Sequence, residues 1–503
     1  MQTNVLRGFV SILGAKITVL FLGLLITPIL VRLLGSSQYG DYAFVLSVLG
    51  ITMILTNAGI FDGTRKYIAE DRKQPNWVEH VFGFYLRVAI ALALIAAVVY
   101  ATFSWIGFSE QLFGYEFTVY FYLLGGLILT RQAYSVARGG LMGLGLEDRS
   151  EPLNILRKIL FGLVGLTLAY LGYGVAGVLV GHIVASLTVS FIAIAILFRR
   201  INAKAVFSRV SSGFPKRVLL SFNSYSVVLI LLTASLYHVD ILLLRPIAGS
   251  EATGYYRAAL VIAEFLWFVP NALQMVLLHS TSELWAKDQT NQISTMVSRI
   301  TRYNLSLVIL LAIGLAALAD DFVPLYFGSG FESAVLPLLL LLPGVLGFAL
   351  ARPIFAVGQG KGEIRILIAA TGVAAVINFI LNIILIPRYG MNGAAVATSI
   401  GYGSMVVFHI IAARRIGFNP INDLRASRIA VTGLITAIVV FGTASVVDST
   451  ILSLIIVPPL GFFMYAVVSL KLGVVSPKEM QLLERQLPEH PGQMVRRVSD
   501  LLQ

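Results

Sequence analysis

Six basic side chains lie inside or at the ends of long apolar runs, where a charge is costly and by default marks function. They are Lys16, Arg65, Arg87, Arg131, Arg257 and Arg352. An arginine presents a planar fork of donors that binds a phosphate through two hydrogen bonds. The set therefore predicts a site for an anion. The alternative is that several of these long side chains extend to polar surroundings at the ends of the runs.

Acidic side chains in the same apolar runs are candidates for ion coupling. Asp240 and Glu264 are the two carboxylates, and His238 lies two residues before Asp240. A carboxylate in such a run is costly unless it holds a proton, binds a cation or pairs with a basic group. Coupling to Na⁺ or H⁺ fits this pattern, and so does structural pairing of Asp240 with Arg245 or Arg257. The sequence does not name an ion, so both alternatives stay open.

Proline and histidine positions add two further predictions. Pro28 and Pro270 each remove a backbone hydrogen bond from a long apolar run. They are therefore candidate gating bends, with a static kink as the alternative. The six histidines form no close-spaced pair and the chain has no cysteine. The sequence therefore predicts no metal site and no cofactor.

The composition places these residues in a membrane. The chain has 503 residues, of which 57% are hydrophobic and 12% are charged, about half the charge of a soluble domain. Apolar runs long enough to cross a hydrocarbon core recur along the chain, and helices satisfy their own backbone groups in lipid. The fold class is therefore an all-α polytopic membrane protein with about 14 transmembrane helices. The predicted spans are 10–34, 42–61, 80–105, 117–137, 158–173, 175–198, 218–244, 254–279, 303–323, 334–357, 365–386, 392–413, 428–447 and 451–470.

The net charge of +12 follows the membrane topology rather than a nucleic-acid partner. With the N-terminus in the cytoplasm, most of the 37 lysines and arginines fall in the even-numbered connections and at the two termini. Acidic residues such as Glu110, Glu251 and Asp320 fall on the opposite side. This is the positive-inside distribution. We therefore predict a multi-pass protein of the cell membrane with both termini cytoplasmic and no nucleic-acid partner.

Three pairs of short motifs recur in the same order, 214 to 216 residues apart. The pairs are LVRLLGSSQYGDYA through Gly40 with LLRPIAGSEATGYYRAA through Gly254, RGGLMGLGLE from Arg138 with RPIFAVGQGKGE from Arg352, and YGVAGVLVGH from Tyr173 with YGMNGAAVAT from Tyr389. They predict a duplicated unit of six helices. Because six is even, both copies enter the membrane in the same orientation, and such parallel repeats form two lobes around a central cavity.

The duplication and the apolar runs together predict the domain organisation. An N-lobe of helices 1–6 occupies residues 1–198, and a C-lobe of helices 7–12 occupies residues 218–415. A basic cytoplasmic linker, 199–217, joins the lobes. Helices 13 and 14, at 428–470, are an addition outside the repeat. The tail, 471–503, has apolar residues at helical spacing and is predicted to be a cytoplasmic amphipathic segment, with a solvated tail as the alternative.

Several motifs resemble one family. They are L-G-x-x-x-Y-G-x-Y from Leu34, N-A-G-I-F-D-G-T-R-K-Y-I-A from Asn57, and V-D-I-L-L-L from Val239 followed by T-G-Y-Y-R-A-A. In this order the chain is similar to the polysaccharide transporter, or oligosaccharide flippase, family of the multidrug/oligosaccharidyl-lipid/polysaccharide exporter superfamily. The resemblance covers helices 1–12 and, in helix count, the whole chain.

The resemblance implies a flippase that alternates access between its two lobes. It would move a lipid-linked oligosaccharide, a glycan on a polyprenyl phosphate or diphosphate, from the cytoplasmic to the outer leaflet for polysaccharide or glycan biosynthesis. The six cations would hold the phosphate. The implied partners are this substrate, membrane lipids and enzymes of glycan assembly, and the oligomeric state stays open.

Three other functions fit the architecture. A cation-coupled exporter of drugs or metabolites would need a cavity dominated by carboxylates. A membrane glycosyltransferase or polymerase would need a sizeable loop outside the membrane, and the connections here are short. A flippase for a peptidoglycan precursor has the same helix count. The cationic candidates favour the oligosaccharide flippase, a transporter and not an enzyme.

Overall fold

The computed structural model describes residues 2–70, 72, 74–209, 213–221, 224–476 and 479–480. Within these ranges the regular structure is helical and contains no strand. Most of the predicted tail, from residue 481 onward, lies outside the described residues. The helices are α1 (Gln2–Asn57), α2 (Ile60–Ala69), α3 (Trp77–Trp105), α4 (Phe108–Phe113), α5 (Glu116–Gly143), α6 (Glu147–Leu168), α7 (Gly174–Phe198), α8 (Ala203–Phe207), α9 (Lys216–Ser221), α10 (Ser224–Phe265), α11 (Phe268–Ala286), α12 (Thr290–Ala317), α13 (Ala319–Phe327), α14 (Val335–Lys361), α15 (Ile364–Ile416), α16 (Ala426–Val446) and α17 (Thr450–Lys471).

Nine helical segments of the described chain are long and apolar enough to cross a membrane. Three of them run for 52 to 59 residues, and a fourth contains the 42-residue helix α10. As straight helices these would be about 60–90 Å long, against a hydrocarbon core of about 30 Å. Each of the four is broken at glycine, namely at Gly35, at Gly172 and Gly174, at Gly249 or at Gly390, and so supplies two spans. With the 28-residue helix α5, the described residues supply about fourteen spans. The all-α polytopic fold class is confirmed.

The backbone at these breaks repeats along the chain. Gly35 has φ 66° and ψ 177°, and Gly249, 214 positions later, has φ 88° and ψ 175°. Gly174 has φ 52° and ψ −138°, and Gly390, 216 positions later, has φ 54° and ψ −131°. Positive φ with an extended ψ is available to glycine and almost to no other residue. The duplicated motifs therefore encode the sharp turns between consecutive spans.

The chain divides into two compact units. Unit 1 comprises residues 1–257 and 386–391, and unit 2 comprises residues 258–385 and 392–503. The core of unit 1 combines α2, α3, α5 and α7 with the predicted linker, whose Val206 is fully buried. Phe214 of the linker packs its ring 5.4 Å from that of Trp77 at the start of α3. The lobe boundaries predicted from the duplication stay a prediction.

Two repeat-related glycines meet within unit 1. A Cβ atom added at Gly40 would lie 1.8 Å from the carbonyl oxygen of Ser250, and one added at Gly254 would lie 1.9 Å from that of Ser36. Neither position has room for a side chain, so the backbones of α1 and α10 cross in direct contact. The same Y-G-x-Y and T-G-Y-Y motifs that carry the duplication therefore form this crossing.

Aromatic and small residues pack the helices of unit 2. The Trp267 ring lies 4.3 Å from that of Phe348 and 5.2 Å from that of Tyr402. Added Cβ atoms at Gly344 and Gly347 would lie 2.3 Å and 2.6 Å from backbone atoms of α15. The helices α14 and α15 therefore approach as closely as glycine allows.

An ionic cluster in unit 2 involves the segment that follows α17. Arg302 of α12 is completely buried and binds Asp423 at 2.6 Å and Glu479 through its other terminal nitrogen. Arg425 lies 2.9 Å from Asp423 and donates to the Gly473 carbonyl oxygen at 2.8 Å. The cluster thereby connects the segment before α16 and the segment after α17 to helix α12.

Candidate functional site

Three basic side chains lie together in unit 1, on α5 and α6. They are Arg131, Arg157 and Lys158, which we name the α5–α6 cation cluster. Arg131 and Arg157 are close enough to repel each other, and so are Arg157 and Lys158. Within the described chain none of the three has an ion pair with a carboxylate. The cluster is thus positively charged without internal compensation.

Aromatic rings support two of these cations. The Arg157 guanidinium lies 5.5 Å from the centre of the Tyr134 ring, and the Lys158 ammonium lies 5.4 Å from that of Phe161. A ring face attracts a cation without neutralising it. Arg131 contributes an Nε atom that is buried and has no hydrogen-bond partner among the described residues. The cluster therefore keeps donors for an anionic ligand.

A tyrosine and a histidine adjoin the cluster. The Tyr42 hydroxyl and His182 Nε2 are hydrogen-bonded at 2.9 Å, and the His182 ring stacks 3.8 Å from that of Phe161. The charges of Arg131 and Arg257 both act on the Tyr42 hydroxyl. Two of the six cations predicted from the sequence are therefore brought to one polar site.

The neighbouring arginine on α5 shows the contrast. Arg138 binds the buried carboxylate of Glu151 at 2.6 Å. Asn154 donates to the same carboxylate at 3.2 Å and accepts from the Tyr134 hydroxyl at 3.1 Å. The charge of this arginine is thus neutralised by the Glu151 carboxylate. The α5–α6 cation cluster, one to two turns away, has no such partner set.

The other predicted cations lie elsewhere. Lys16 and Arg65 are exposed on α1 and α2. Arg87 is exposed on α3 and donates to the Val206 carbonyl oxygen at 3.4 Å. In unit 2, Arg352 lies over the Phe348 ring and donates to the Gln274 side chain at 3.1 Å. Their part in substrate binding stays a prediction.

Asp240 and His238, two of the candidates for ion coupling, each contact neighbouring polar groups. Asp240 is buried, accepts from the Tyr256 hydroxyl and accepts from the Ile241 backbone N–H at 2.8 Å. His238 Nδ1 lies 3.2 Å from the Ser47 hydroxyl. Arg245, one of the partners considered for Asp240, instead binds Asp41 at 2.7 Å. Asp41 also accepts from Ser250 at 2.8 Å.

The two prolines predicted as gating bends do not lie at the helix breaks, and their role in gating stays a prediction. Pro28 lies within α1, whose only non-helical residue is Gly35. Pro270 lies in the first turn of α11, where a missing N–H costs nothing, and the helix is already interrupted at Trp267. Glu264 is half-buried at the end of α10, just before this interruption. The described residues contain no group of three or more histidine, aspartate or glutamate side chains placed to hold a metal.

Sequence reasoning missed Arg157 and Lys158. The apolar run begins at residue 158, so both residues count as topological charges at the end of a span. The helix itself begins at Glu147, three turns earlier, so Arg157 and Lys158 lie well inside it. The sequence signal for them is a pair of adjacent cations directly before an apolar run. It becomes informative when the helix is known to begin several turns before that pair.

Within the described residues, long apolar helices with duplicated glycine breaks, and cations without carboxylate partners on two of those helices, are typical of a polytopic membrane transporter. The fold is similar to that of the lipid II flippase MurJ in an inward closed conformation, with a TM-score of 0.74 and 15% identity over 92% of this chain and 98% of that one. It is also similar to an inward-facing multidrug resistance MATE family transporter of the MOP superfamily, with a TM-score of 0.64 and 16% identity over 78% and 94%. At these identities the likeness concerns the fold.

The sequence comparisons identify the family of the chain. The family described as polysaccharide biosynthesis protein matches residues 29–336, and the chain belongs to it. The probable low-salt glycan biosynthesis flippase Agl15 of Haloferax volcanii is 26% identical over 472 residues, 91% of this chain and 94% of that protein. The probable flippase AglR of the same organism is 25% identical over 80% and 81%. The resemblance drawn from the motifs is confirmed.

Proposed function

We propose that this protein is a flippase for lipid-linked oligosaccharides. It moves a glycan carried on a polyprenyl phosphate or diphosphate from the cytoplasmic to the outer leaflet of the cell membrane, with both of its termini in the cytoplasm. The observation that carries the proposal is the α5–α6 cation cluster, which lies on two long helices and has no carboxylate partner among the described residues.

The charge of the cluster matches the charge of such a substrate. A phosphate or diphosphate cannot cross hydrocarbon by itself, because burying an unpaired charge is very costly. Three clustered cations repel each other, and an anion between them relieves that repulsion and shares their donors. The fork of an arginine binds phosphate oxygens in pairs. Arg131 and Arg157 each supply such a fork, and Lys158 supplies a point charge.

The lipid part of the substrate has a matching surface in unit 2. An apolar cavity of about 670 Å³ is lined by α10, α12, α13, α16 and α17, with Phe265, Leu311, Leu318, Phe322 and Phe462 among its residues. Water gains little in such a cavity, whereas a hydrocarbon chain fits it. This supports a substrate with a long apolar chain. Helices α16 and α17, which lie outside the predicted repeat, form part of the wall.

The main alternative is a cation-coupled exporter of drugs or metabolites, whose fold is shared. Such a protein needs carboxylates at its binding site. Here the buried carboxylates of the described chain, Asp41, Glu151, Asp240 and Glu479, are each held by an arginine, a hydroxyl or a backbone group. The groups that keep donors for a ligand are cations. The flippase is therefore favoured.

Leaflet distribution in cells tests the proposal. In cells depleted of the protein and without a redundant flippase, lipid-linked oligosaccharide should accumulate in the inner leaflet. Expression of the wild-type protein should restore its transfer to the outer leaflet. Arg157→Ala should lower the rate of restoration about 10- to 100-fold, because it removes charge-assisted hydrogen bonds worth about 1.5–3 kcal/mol. Arg149→Ala is the matched control, since Arg149 is exposed in the first turn of the same helix. Full restoration by Arg157→Ala would show that the cluster does not carry the substrate.

A further inference from the structure

Four arginines surround the segment that follows α17, in unit 2. They are Arg299, Arg302, Arg425 and Arg428, which we name the α12–α16 arginine cluster. Arg302 and Arg425 share the Asp423 carboxylate, at 2.6 Å and 2.9 Å. Arg302 also binds Glu479, and Arg299 lies 3.3 Å from the same carboxylate oxygen. Among the described residues these two carboxylates are the ion-pair partners of the cluster, so two positive charges stay uncompensated.

The surplus charge lies at the start of α16. Arg425 Nη1 and Arg428 Nη1 both donate to the Gly473 carbonyl oxygen, at 2.8 Å and 3.0 Å. This oxygen is neutral, so it holds the two guanidinium groups side by side without cancelling their charge. Arg428 has no carboxylate partner in the described part of the chain. Like charges this close repel each other, and an anion bound between them relieves the repulsion.

Arg428 stands at the end of an exposed apolar face of α16. Val431, Ile435 and Ile438 follow it at the spacing of one helix face. They are 46%, 37% and 68% exposed, on a helix long and apolar enough to cross a membrane. In a bilayer such a face contacts acyl chains, and a cation at its end lies at the level of the headgroups. The predicted topology places this end of α16 on the cytoplasmic side.

The chemistry of this arrangement fits an anionic phospholipid. A phosphate offers oxygens that a pair of arginine forks binds through charge-assisted hydrogen bonds. Choline and ethanolamine headgroups carry a cation of their own, which two adjacent arginines repel. A glycerol headgroup carries none. We propose that Arg425 and Arg428 bind the phosphate of an anionic phospholipid. Its acyl chains lie along the apolar face of α16 that follows Arg428.

A lipid bound in this way stabilises the connection between α16 and the segment after α17. The contact at Gly473 is close, because a Cβ atom added there would lie 2.9 Å from Arg428 Nη1. An anion that reduces the repulsion between the two arginines strengthens their hold on the Gly473 carbonyl. The stability of the protein should therefore depend on the charge of the surrounding lipid.

Lipid-dependent stability of the purified full-length protein tests the site. The thermal midpoint is measured in a neutral detergent with added phosphatidylglycerol, phosphatidylcholine or inorganic phosphate at equal ionic strength. Bound phosphatidylglycerol is counted by native mass spectrometry. The wild type should be stabilised most by phosphatidylglycerol, because a ligand of the native state raises its stability. Arg428→Gln should bind this lipid about tenfold more weakly, since it loses charge-assisted hydrogen bonds.

Three results would overturn the site. The first is equal stabilisation by the two phospholipids, and the second is an unchanged affinity of Arg428→Gln for phosphatidylglycerol. The third is stabilisation by inorganic phosphate as large as that by phosphatidylglycerol, which would show a site for free phosphate instead of a lipid.

Two further variants separate lipid binding from a folding defect. Arg415→Gln is the matched control, because Arg415 is exposed in the last turn of α15 and lies outside the cluster. It should bind phosphatidylglycerol as the wild type does, and a loss as large as that of Arg428→Gln would contradict the proposal. Arg428→Lys keeps the charge without the fork and should still select phosphatidylglycerol over phosphatidylcholine. Loss of this selectivity would contradict the proposal even if Arg428→Gln does not fold.

The proposed transport substrate is also an anionic lipid, so competition distinguishes the two ligands. A polyprenyl diphosphate should not displace phosphatidylglycerol from this site, because its proposed phosphate site is the α5–α6 cation cluster in unit 1. Displacement would assign Arg425 and Arg428 to the substrate and overturn the proposal. Selective binding of phosphatidylglycerol by a protein that moves no lipid-linked oligosaccharide would leave this site standing and refute the flippase.

Discussion

The Arg302–Glu479 contact ties the segment after α17 to helix α12. The Arg302 side chain is 0% exposed, and that of Glu479 is 8% exposed. Removing one partner of a buried pair leaves a buried charge and costs about 3–5 kcal/mol. Glu479→Gln should cost about 3 kcal/mol, the lower end, because Arg302 keeps Asp423 at 2.6 Å.

A double-mutant cycle separates this contact from its neighbours. Arg302→Met combined with Glu479→Gln should cost less than Glu479→Gln alone, because no unneutralised charge is then buried. Glu283→Gln is the matched control, since its pair with Lys287 is 71% and 58% exposed and should not matter measurably. The assay is thermal or denaturant unfolding of the purified protein. A Glu479→Gln variant as stable as the Glu283→Gln control would refute the reasoning.

The same contact predicts a dependence on pH. Burial by itself would raise the pKa of the Glu479 carboxyl, but hydrogen bonds from Ser476 and the charge and hydrogen bond of Arg302 outweigh it and hold the pKa at about 2, below the ordinary 4.5. A carboxyl whose pKa is lowered on folding stabilises the fold above its unfolded pKa. Its contribution should therefore be complete above pH 4.5 and disappear as the pH falls toward 2. Glu479→Gln should remove that part of the acid sensitivity, and an unchanged acid profile would contradict the assignment.

Two glycine substitutions test the helix crossings and breaks. Gly254→Ala should lower the thermal midpoint and the yield of folded protein, because its Cβ would lie 1.9 Å from the Ser36 carbonyl oxygen, whereas Gly14→Ala, with nothing within 4 Å, should not. Equal midpoints for these two variants would show that the crossing tolerates a side chain. Gly35→Ala should cost about 1–3 kcal/mol, since φ 66° with ψ 177° is a conformation for glycine. Unfolding measurements showing no loss in Gly35→Ala would mean that the break does not constrain the fold.

The fold could be predicted because its determinants are local or periodic. Apolar runs of span length give the helices, and the motif offset gives the duplication. The breaks at Gly35 and Gly249 have the same offset as the motifs and nearly the same dihedral angles. A glycine requirement of this kind is visible in sequence because only that residue meets it.

The site could be predicted only in part, because contacts between distant residues leave no local signal. Arg302 and Glu479 are 177 residues apart in the sequence, and neither segment contains a pattern that predicts their contact. Arg131 was identified because it stands alone in an apolar run. Arg157 and Lys158 were not, because hydropathy alone cannot say that α6 starts at Glu147. The roles of all these cations in transport stay predictions.

The movement of substrate by the purified protein tests the central claim most directly. The wild type is reconstituted in vesicles that contain a polyprenyl diphosphate oligosaccharide. An impermeant glycan-cleaving enzyme then reports the fraction of substrate that reaches the outer leaflet. We predict that the wild type and Arg149→Ala render the inner-leaflet substrate accessible, and that Arg157→Ala does so about 10- to 100-fold more slowly. Substrate that stays protected with folded wild-type protein would contradict the flippase.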